Sequence, residues 1–319
     1  MTELLINTPD LMTIVDAGYE ADAEEGARFP VRLSAIASCP RRLACELRGA
    51  EKRAFSARSL RVFEQGHQRG AALMTAFKRG WEDWITKVTT MPSSRFKLMD
   101  ELEVWMPTRI AGATARKIVE KALKWANDMD GGLPLALQGE EDRLMIRGRC
   151  DLVIMDIETD DCWIIDFKTK ASWGFKKLDE EGNGFDYEMQ LLAYGRALRD
   201  EGKAVKGMWL YYEDHDKRGH KVLPVDPASN DQLSEAVNGV ERILRGWVIG
   251  ESIESSPAMY AVAGRFGKKQ HVGAVATLPW QCNYCSVGPE VGKCVESFRL
   301  EDIRKPGADV PRWEILDRD

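Results

Sequence analysis

The segment from Gly148 to Tyr194 constrains this chain more than any other. It reads GRCDLVIMD, then WIIDFKTK, then YEMQLLAY. Asp151 stands on one apolar, strand-like run and Asp166 on the next, with Lys168 two positions further on. Side chains alternate along an extended strand, so Asp166 and Lys168 share a face. Two carboxylates and one ammonium then converge at a strand end. Carboxylate oxygens suit a hard divalent cation and the lysine supplies fixed positive charge beside it, a combination matched to phosphodiester hydrolysis.

A chain of 319 residues can bury a sizeable core, as one large domain or a domain with appendages. Its 44% hydrophobic and 30% charged residues are those of a soluble globular protein, and no apolar run approaches the roughly 18 residues of a membrane helix. The N-terminus lacks a basic region followed by an apolar block. A cytoplasmic protein with no membrane partner is expected, in the host cytoplasm if the gene is a phage's. Seven cysteines without an export signal fit reduced thiols and metal ligation better than a disulfide framework.

A net charge of -6 is unusual for a nucleic-acid binder, but it is unevenly distributed. Residues 1–30 carry seven acids against Arg28 alone, a net -6 in that arm. Residues 31–70 invert the balance to +6, with Arg32, Arg41, Arg42, Arg48, Lys52, Arg53, Arg58, Arg61 and Arg69 against Glu46, Glu51 and Glu64. That window can track a phosphate backbone or form a solvated helix face.

Little apolar periodicity marks residues 1–30, which read as a loosely held acidic arm. Helices are expected over Ser34–Arg48, Ala57–Val88 and Ala113–Met129, the last ended by Gly131, Gly132 and Pro134. Strands are expected over Leu135–Glu140, Leu144–Met155, Cys162–Lys168 and Gly207–Glu213, with a short edge strand at Lys221–Val225. Helices at Tyr187–Asp200 and Pro227–Ile249 complete the pattern. Helices leading into a mixed sheet, with a further helix packed across it, define an α/β layer arrangement. The division is a single domain over residues 31–300, with a helical part at 31–130, a core at 131–250 and a cysteine segment at 275–300, followed by a tail at 301–319. No repeat, low-complexity tract or P-loop is present.

The series Asp151, Asp166-Phe167-Lys168 and Gln190-x-x-x-Tyr194 resembles the RecB-like branch of the PD-(D/E)xK nuclease superfamily. A lone acid-x-lysine is a weak signal; the order, the strand context and the glutamine-tyrosine helix make the match specific. The chain departs from many relatives in carrying Asp166 in place of Glu, which remains within the pattern. The resemblance implies a restriction-endonuclease-like core with a mixed central sheet flanked by helices. It also implies that His67, in FEQGHQRG, is a third metal ligand, and that Glu140 or Glu141 adds an acid from the preceding strand. One or two Mg2+ or Mn2+ ions would then be bound by Asp151, Asp166, His67 and the Phe167 carbonyl, with Lys168 orienting water or stabilising charge. Gln190 and Tyr194, four apart on one helix face, can hold Lys168 and touch the DNA backbone.

A second constellation lies near the C-terminus, where Cys282, Cys285 and Cys294 form C-x2-C-x8-C. Three thiolates are one short of a closed site. The chain is similar to RecB-like nucleases of the iron-sulfur type, closest to the CRISPR-associated exonucleases, with AddB and eukaryotic exonuclease V as cousins. That likeness makes Cys39 the fourth ligand of a [4Fe-4S] cluster joining the N-terminal helix to the C-terminal segment. Zinc on the same thiolates, or Cys45 in place of Cys39, are the alternatives. Cys150 and Cys162 read as small buried hydrophobes, and His215, His220 and His271 as solvated. Trp173 and Phe175, beside Lys170, Lys176 and Lys177, are candidates for stacking on unpaired bases. The implied activity is a metal-dependent exonuclease on single-stranded DNA ends, with 5′ to 3′ polarity. Alternatives are a CRISPR adaptation factor working with an integrase, or a DNA-binding subunit serving recombination or a helicase-nuclease.

Overall fold

A computed structural model describes residues 29–50, 57–88, 92–126, 132–214, 216–217, 219–226, 230–251 and 287. Within them, a six-stranded mixed sheet forms from β1 (Phe96–Pro107), β2 (Leu135–Gln138), β3 (Arg143–Asp156), β4 (Asp161–Lys170), β5 (Ala204–Asp214) and β6 (His220–Pro224). The strand order is β1-β3-β4-β5-β6 with β2 on β3, and the β4–β5 pair alone is parallel. The helices are α1 (Pro40–Leu47), α2 (Ala57–Val88), α3 (Gly112–Trp125), α4 (Ser172–Glu181), α5 (Phe185–Asp200) and α6 (Asn230–Ile249).

The helices cover both faces of the sheet. On one face α2 crosses β4, with Phe77 edge-on to Phe167 (ring centroids 6.4 Å). The other face carries α5, whose Leu191, Leu192, Tyr194 and Leu198 are buried in the main core with Leu144, Ile146, Ile164 and Leu210 of the sheet. Parallel strands need a crossover, and the α4–α5 pair supplies it between β4 and β5.

Two expectations are corrected here, and two elements are added. Ser34–Arg48 is not one helix but a 3-10 turn at Leu33–Ala35 followed by α1. The break falls before Pro40, whose ring drives Cys39 into an extended conformation (ψ 121°) and opens α1 at its first turn. The 12-residue β1 was not foreseen, nor was α4. At the end of the acidic arm, Phe29 is fully buried, edge-on to Trp125 at 5.3 Å. Residues 1–28, the tail after residue 300 and Cys282, Cys285 and Cys294 lie outside the described residues.

Candidate active site

One edge of β3 is shared. β2 pairs with residues 143–146 and β4 with residues 152–155, so the stretch containing Gly148 and Asp151 falls between the two partners. The β3–β4 ladder ends at Leu152↔Ile165, and there Asp151 Oδ2 accepts the Phe167 N–H at 2.8 Å. The carboxylate thus replaces a ladder bond where the strands part. On the opposite edge, β1 skips the position facing Asp151 and Glu101 takes a left-handed conformation (φ 47°), one that a non-glycine residue adopts only under constraint.

Alternation along β4 sends Asp166 and Lys168 toward α5 and Phe167 toward α2. Asp166 is fully buried, and Lys168 Nζ lies 2.5 Å from its Oδ2 in an ion pair. The other oxygen, Oδ1, accepts from Gln190 Nε2 at 3.0 Å, and the same amide donates to the Tyr194 hydroxyl at 3.0 Å. This corrects the expectation for Gln190 and Tyr194. Both are buried, so neither faces a DNA backbone, and Gln190 holds Asp166 rather than Lys168. The Lys168 ammonium lies instead over the Tyr187 ring, 5.1 Å from its centroid. Sequence reasoning gave Tyr187 no role, although its place three residues before Gln190 puts the two on one helix face.

Gly148 has a steric reason to be glycine. A Cβ there would stand 2.5 Å from Tyr194 Cε1 and 2.9 Å from Leu33. The glycine of GRCD therefore lets α5 and the Leu33 turn close over β3 beside Asp151.

Burial and the neighbouring Asp151 carboxylate push Asp166 up to about 7, against the opposing pull of Lys168. Burial alone would lower Lys168, but Asp166 and Asp151 outweigh it and the net shift is upward. Tyr194 is raised by burial and by Asp166. Asp166, buried beside a second carboxylate, therefore resists ionisation. The Asp166 and Asp151 carboxylates supply hard oxygen atoms of the kind that fit a divalent cation.

Other expected residues stand elsewhere. Among the described residues, no three His, Cys, Asp or Glu side chains are grouped to hold a metal. His67 is exposed on α2, next to Gly66, whose added Cβ would meet Thr169 Oγ1 at 3.4 Å. Thr169 alternates with Lys168, so α2 passes the strand end on the face opposite Asp166, and the structure does not bring His67 to the carboxylates. Glu140 and Glu141 sit on the β2–β3 turn and line a cavity with Trp105 and Glu201. At about 3.3 Å per residue that turn is over 25 Å along β3 from Asp151, which removes both from the site.

Four of the nine basic residues of that window are engaged within the fold; Lys52 and Arg53 lie outside the described residues. Arg41 is buried, Arg42 pairs with Glu46 at 2.9 Å, Arg48 donates to the Ala44 carbonyl, and Arg69 lies 3.7 Å from Glu213. These four do not form an open phosphate track. Phe175 is buried on α4 beneath Lys221, which corrects its stacking role. Trp173 is 73% exposed, with Lys177 Nζ 4.1 Å from its ring. Cys39 is half-buried before α1, Cys45 is fully buried within α1, and Cys150 and Cys162 are buried in strands as expected. Burial raises both of these strand thiols, Cys162 to about 11.

The sequence profile of the PD-(D/E)XK nuclease superfamily matches residues 30–289, and the chain belongs to that superfamily. Its mixed sheet flanked by helices is the superfamily's architecture, and nucleases of this kind generally use divalent metals such as Mg2+ or Mn2+. Among solved structures it is similar to SSO0001, at 14% identity over 72% of this chain and 87% of that one, with a TM-score of 0.38. It is also similar to an alkaline exonuclease (LHK-Exo) from Laribacter hongkongensis, at 11% identity over 73% and 95% of the two chains, with a TM-score of 0.35. No curated protein matches the sequence. Among the described residues, no helix is long and apolar enough to cross a membrane.

Proposed function

We infer that the chain is a divalent-metal-dependent deoxyribonuclease acting as an exonuclease on single-stranded DNA ends, with 5′ to 3′ polarity. The observation carrying this reading is the convergence of Asp151, Asp166 and Lys168 where β3 and β4 part. Asp151, Asp166 and the Phe167 carbonyl are the groups that would hold Mg2+ or Mn2+. When bound, the metal supplies an activated water and neutralises charge on the scissile phosphate.

The chain's own residues do the rest. Gln190 fixes the Asp166 carboxylate from the interior, and its tie to Tyr194 fixes the amide in turn. Lys168 keeps its proton beside two acids and so presents positive charge to the negative charge that develops during hydrolysis. Exposed Trp173 suits a base stack.

The cysteines are assigned to a [4Fe-4S] cluster by Cys39, Cys282, Cys285 and Cys294. Support comes from their spacing, from the place of Cys39 before α1, and from the burial of Val287, which lies between Cys285 and Cys294 in sequence.

The test uses one oligonucleotide labelled at its 5′ end or its 3′ end, as single strand and as duplex, with Mn2+, Mg2+ or EDTA. The 5′ label should appear at once as the shortest products from single strands, with no cutting in EDTA. A uniform internal ladder would make the enzyme an endonuclease, and metal-independent cutting would remove the assignment.

A further inference from the structure

We propose that Lys170 and Tyr187 form a second phosphate-binding position, extending the site one step along β4 to grip the nucleic-acid phosphate next to the one being cut. The inference rests on the nuclease reading above.

Asp166, Lys168 and Lys170 alternate along β4 and occupy one face, Lys170 about 6.6 Å beyond Lys168. Both ammoniums converge on a single ring. Lys168 Nζ lies 5.1 Å and Lys170 Nζ 5.2 Å from the Tyr187 centroid, and Lys170 is also 5.5 Å from that of Tyr212. The two tyrosine rings stand 6.4 Å apart. An aromatic face attracts cations, so this pair of rings fixes two flexible lysine stems that would otherwise repel one another. Two ammoniums held against one ring, next to the carboxylates that would hold the metal, place cationic groups along the line of the strand.

The positioning is shared with the reaction centre through α5. Tyr187 and Gln190 are three residues apart and face β4 together; Gln190 orients the carboxylate and Tyr187 the ammoniums. Lys170 would therefore contact substrate, while Tyr187 is a positioning residue acting through both lysines. Its hydroxyl has no part in this, so phenylalanine should replace it and leucine should not.

The test is binding of a fluorescent single-stranded oligonucleotide in EDTA at several salt concentrations, followed by steady-state cutting with Mn2+. One lost phosphate contact lowers the salt slope of log affinity by about 0.7 for a single strand. Lys170→Met should show that drop, with affinity weakened about tenfold, KM raised and kcat within about twofold of the parent. Tyr187→Leu should lower kcat as well as affinity, and Tyr187→Phe should restore both. A parent that binds and cuts beside a Lys170→Met protein with unchanged slope and KM would overturn the second position alone. Equal losses in Tyr187→Phe and Tyr187→Leu would overturn the role of the ring. A folded parent that neither binds nor cuts DNA would overturn the nuclease reading and this position with it.

Discussion

Replacing Asp166 by asparagine should stabilise the metal-free protein, and by more at higher pH. The carboxyl is fully buried and titrates at about 7, against about 3.9 in an unfolded chain. A folded-state value above the unfolded one means the native state holds the extra proton between those limits. Stability therefore falls as pH rises from about 4 to about 7 and is level above. At about 1.4 kcal/mol per pH unit, a gap of about 3 costs the native state about 4 kcal/mol at pH 8. Asparagine keeps the oxygen that accepts from Gln190 and carries no charge, so it removes that cost. With about 2 °C per kcal/mol for a chain of this size, Asp166→Asn should melt about 8 °C above the parent at pH 8, and the gap should shrink toward pH 5. The assay is a series of melts from pH 5 to 8 without added divalent metal. Asp156 is the control of opposite sign: three hydrogen bonds from Arg95 hold it below the usual carboxylate range. Its stabilisation is present above about pH 4 and lost as pH falls through its lower folded value, so Asp156→Asn should melt below the parent at neutral pH. An Asp166→Asn protein melting at or below the parent at pH 8, or a gap that does not widen with pH, would show that the buried Asp166 charge does not destabilise the fold.

Gly148→Ala should lower stability by about 1–3 kcal/mol through overpacking against Tyr194 and Leu33. Gly70→Ala, in α2 with nothing within 4 Å of the added carbon, should raise it by about 0.5–1 kcal/mol; paired melts decide both. Protein prepared without oxygen should be brown with broad absorption near roughly 400 nm from thiolate-bound iron, and Cys39→Ala should lose colour and melt lower. About one zinc and no iron by elemental analysis would move the site to zinc, and an unchanged Cys39→Ala would shift the test to Cys45.

The strands bearing Asp151, Asp166 and Lys168 were legible because apolar residues such as Val153, Ile154, Ile164 and Ile165 surround them and leave few alternatives to a buried sheet. The shared helix face of Gln190 and Tyr194 was legible from spacing. Their partner was not, since only the tertiary closure of α5 over β4 decides that the amide meets Asp166. β1 was missed because Lys97, Asp100, Glu101 and Glu103 dilute its apolar content; the usable signal was the alternation of Leu102, Val104 and Met106. The α2 helix was read with its observed bounds, Ala57–Val88, yet which face of the sheet it crosses is not written in its own residues, and the place of His67 follows from that face. A count of basic residues is visible in any sequence, whereas a partner such as Glu213, 144 positions beyond Arg69, is not.

Asp151, Asp166 and Lys168 are proposed to act as one hydrolytic centre. Single-turnover cutting of single-stranded DNA by the parent and by Lys168→Ala, under matched Mn2+, tests it most directly. Lys168→Ala should cut about 100- to 1000-fold more slowly while still binding DNA, with a lower melt because Asp166 loses its buried partner; cutting at the parental rate by a folded Lys168→Ala protein would contradict the assignment.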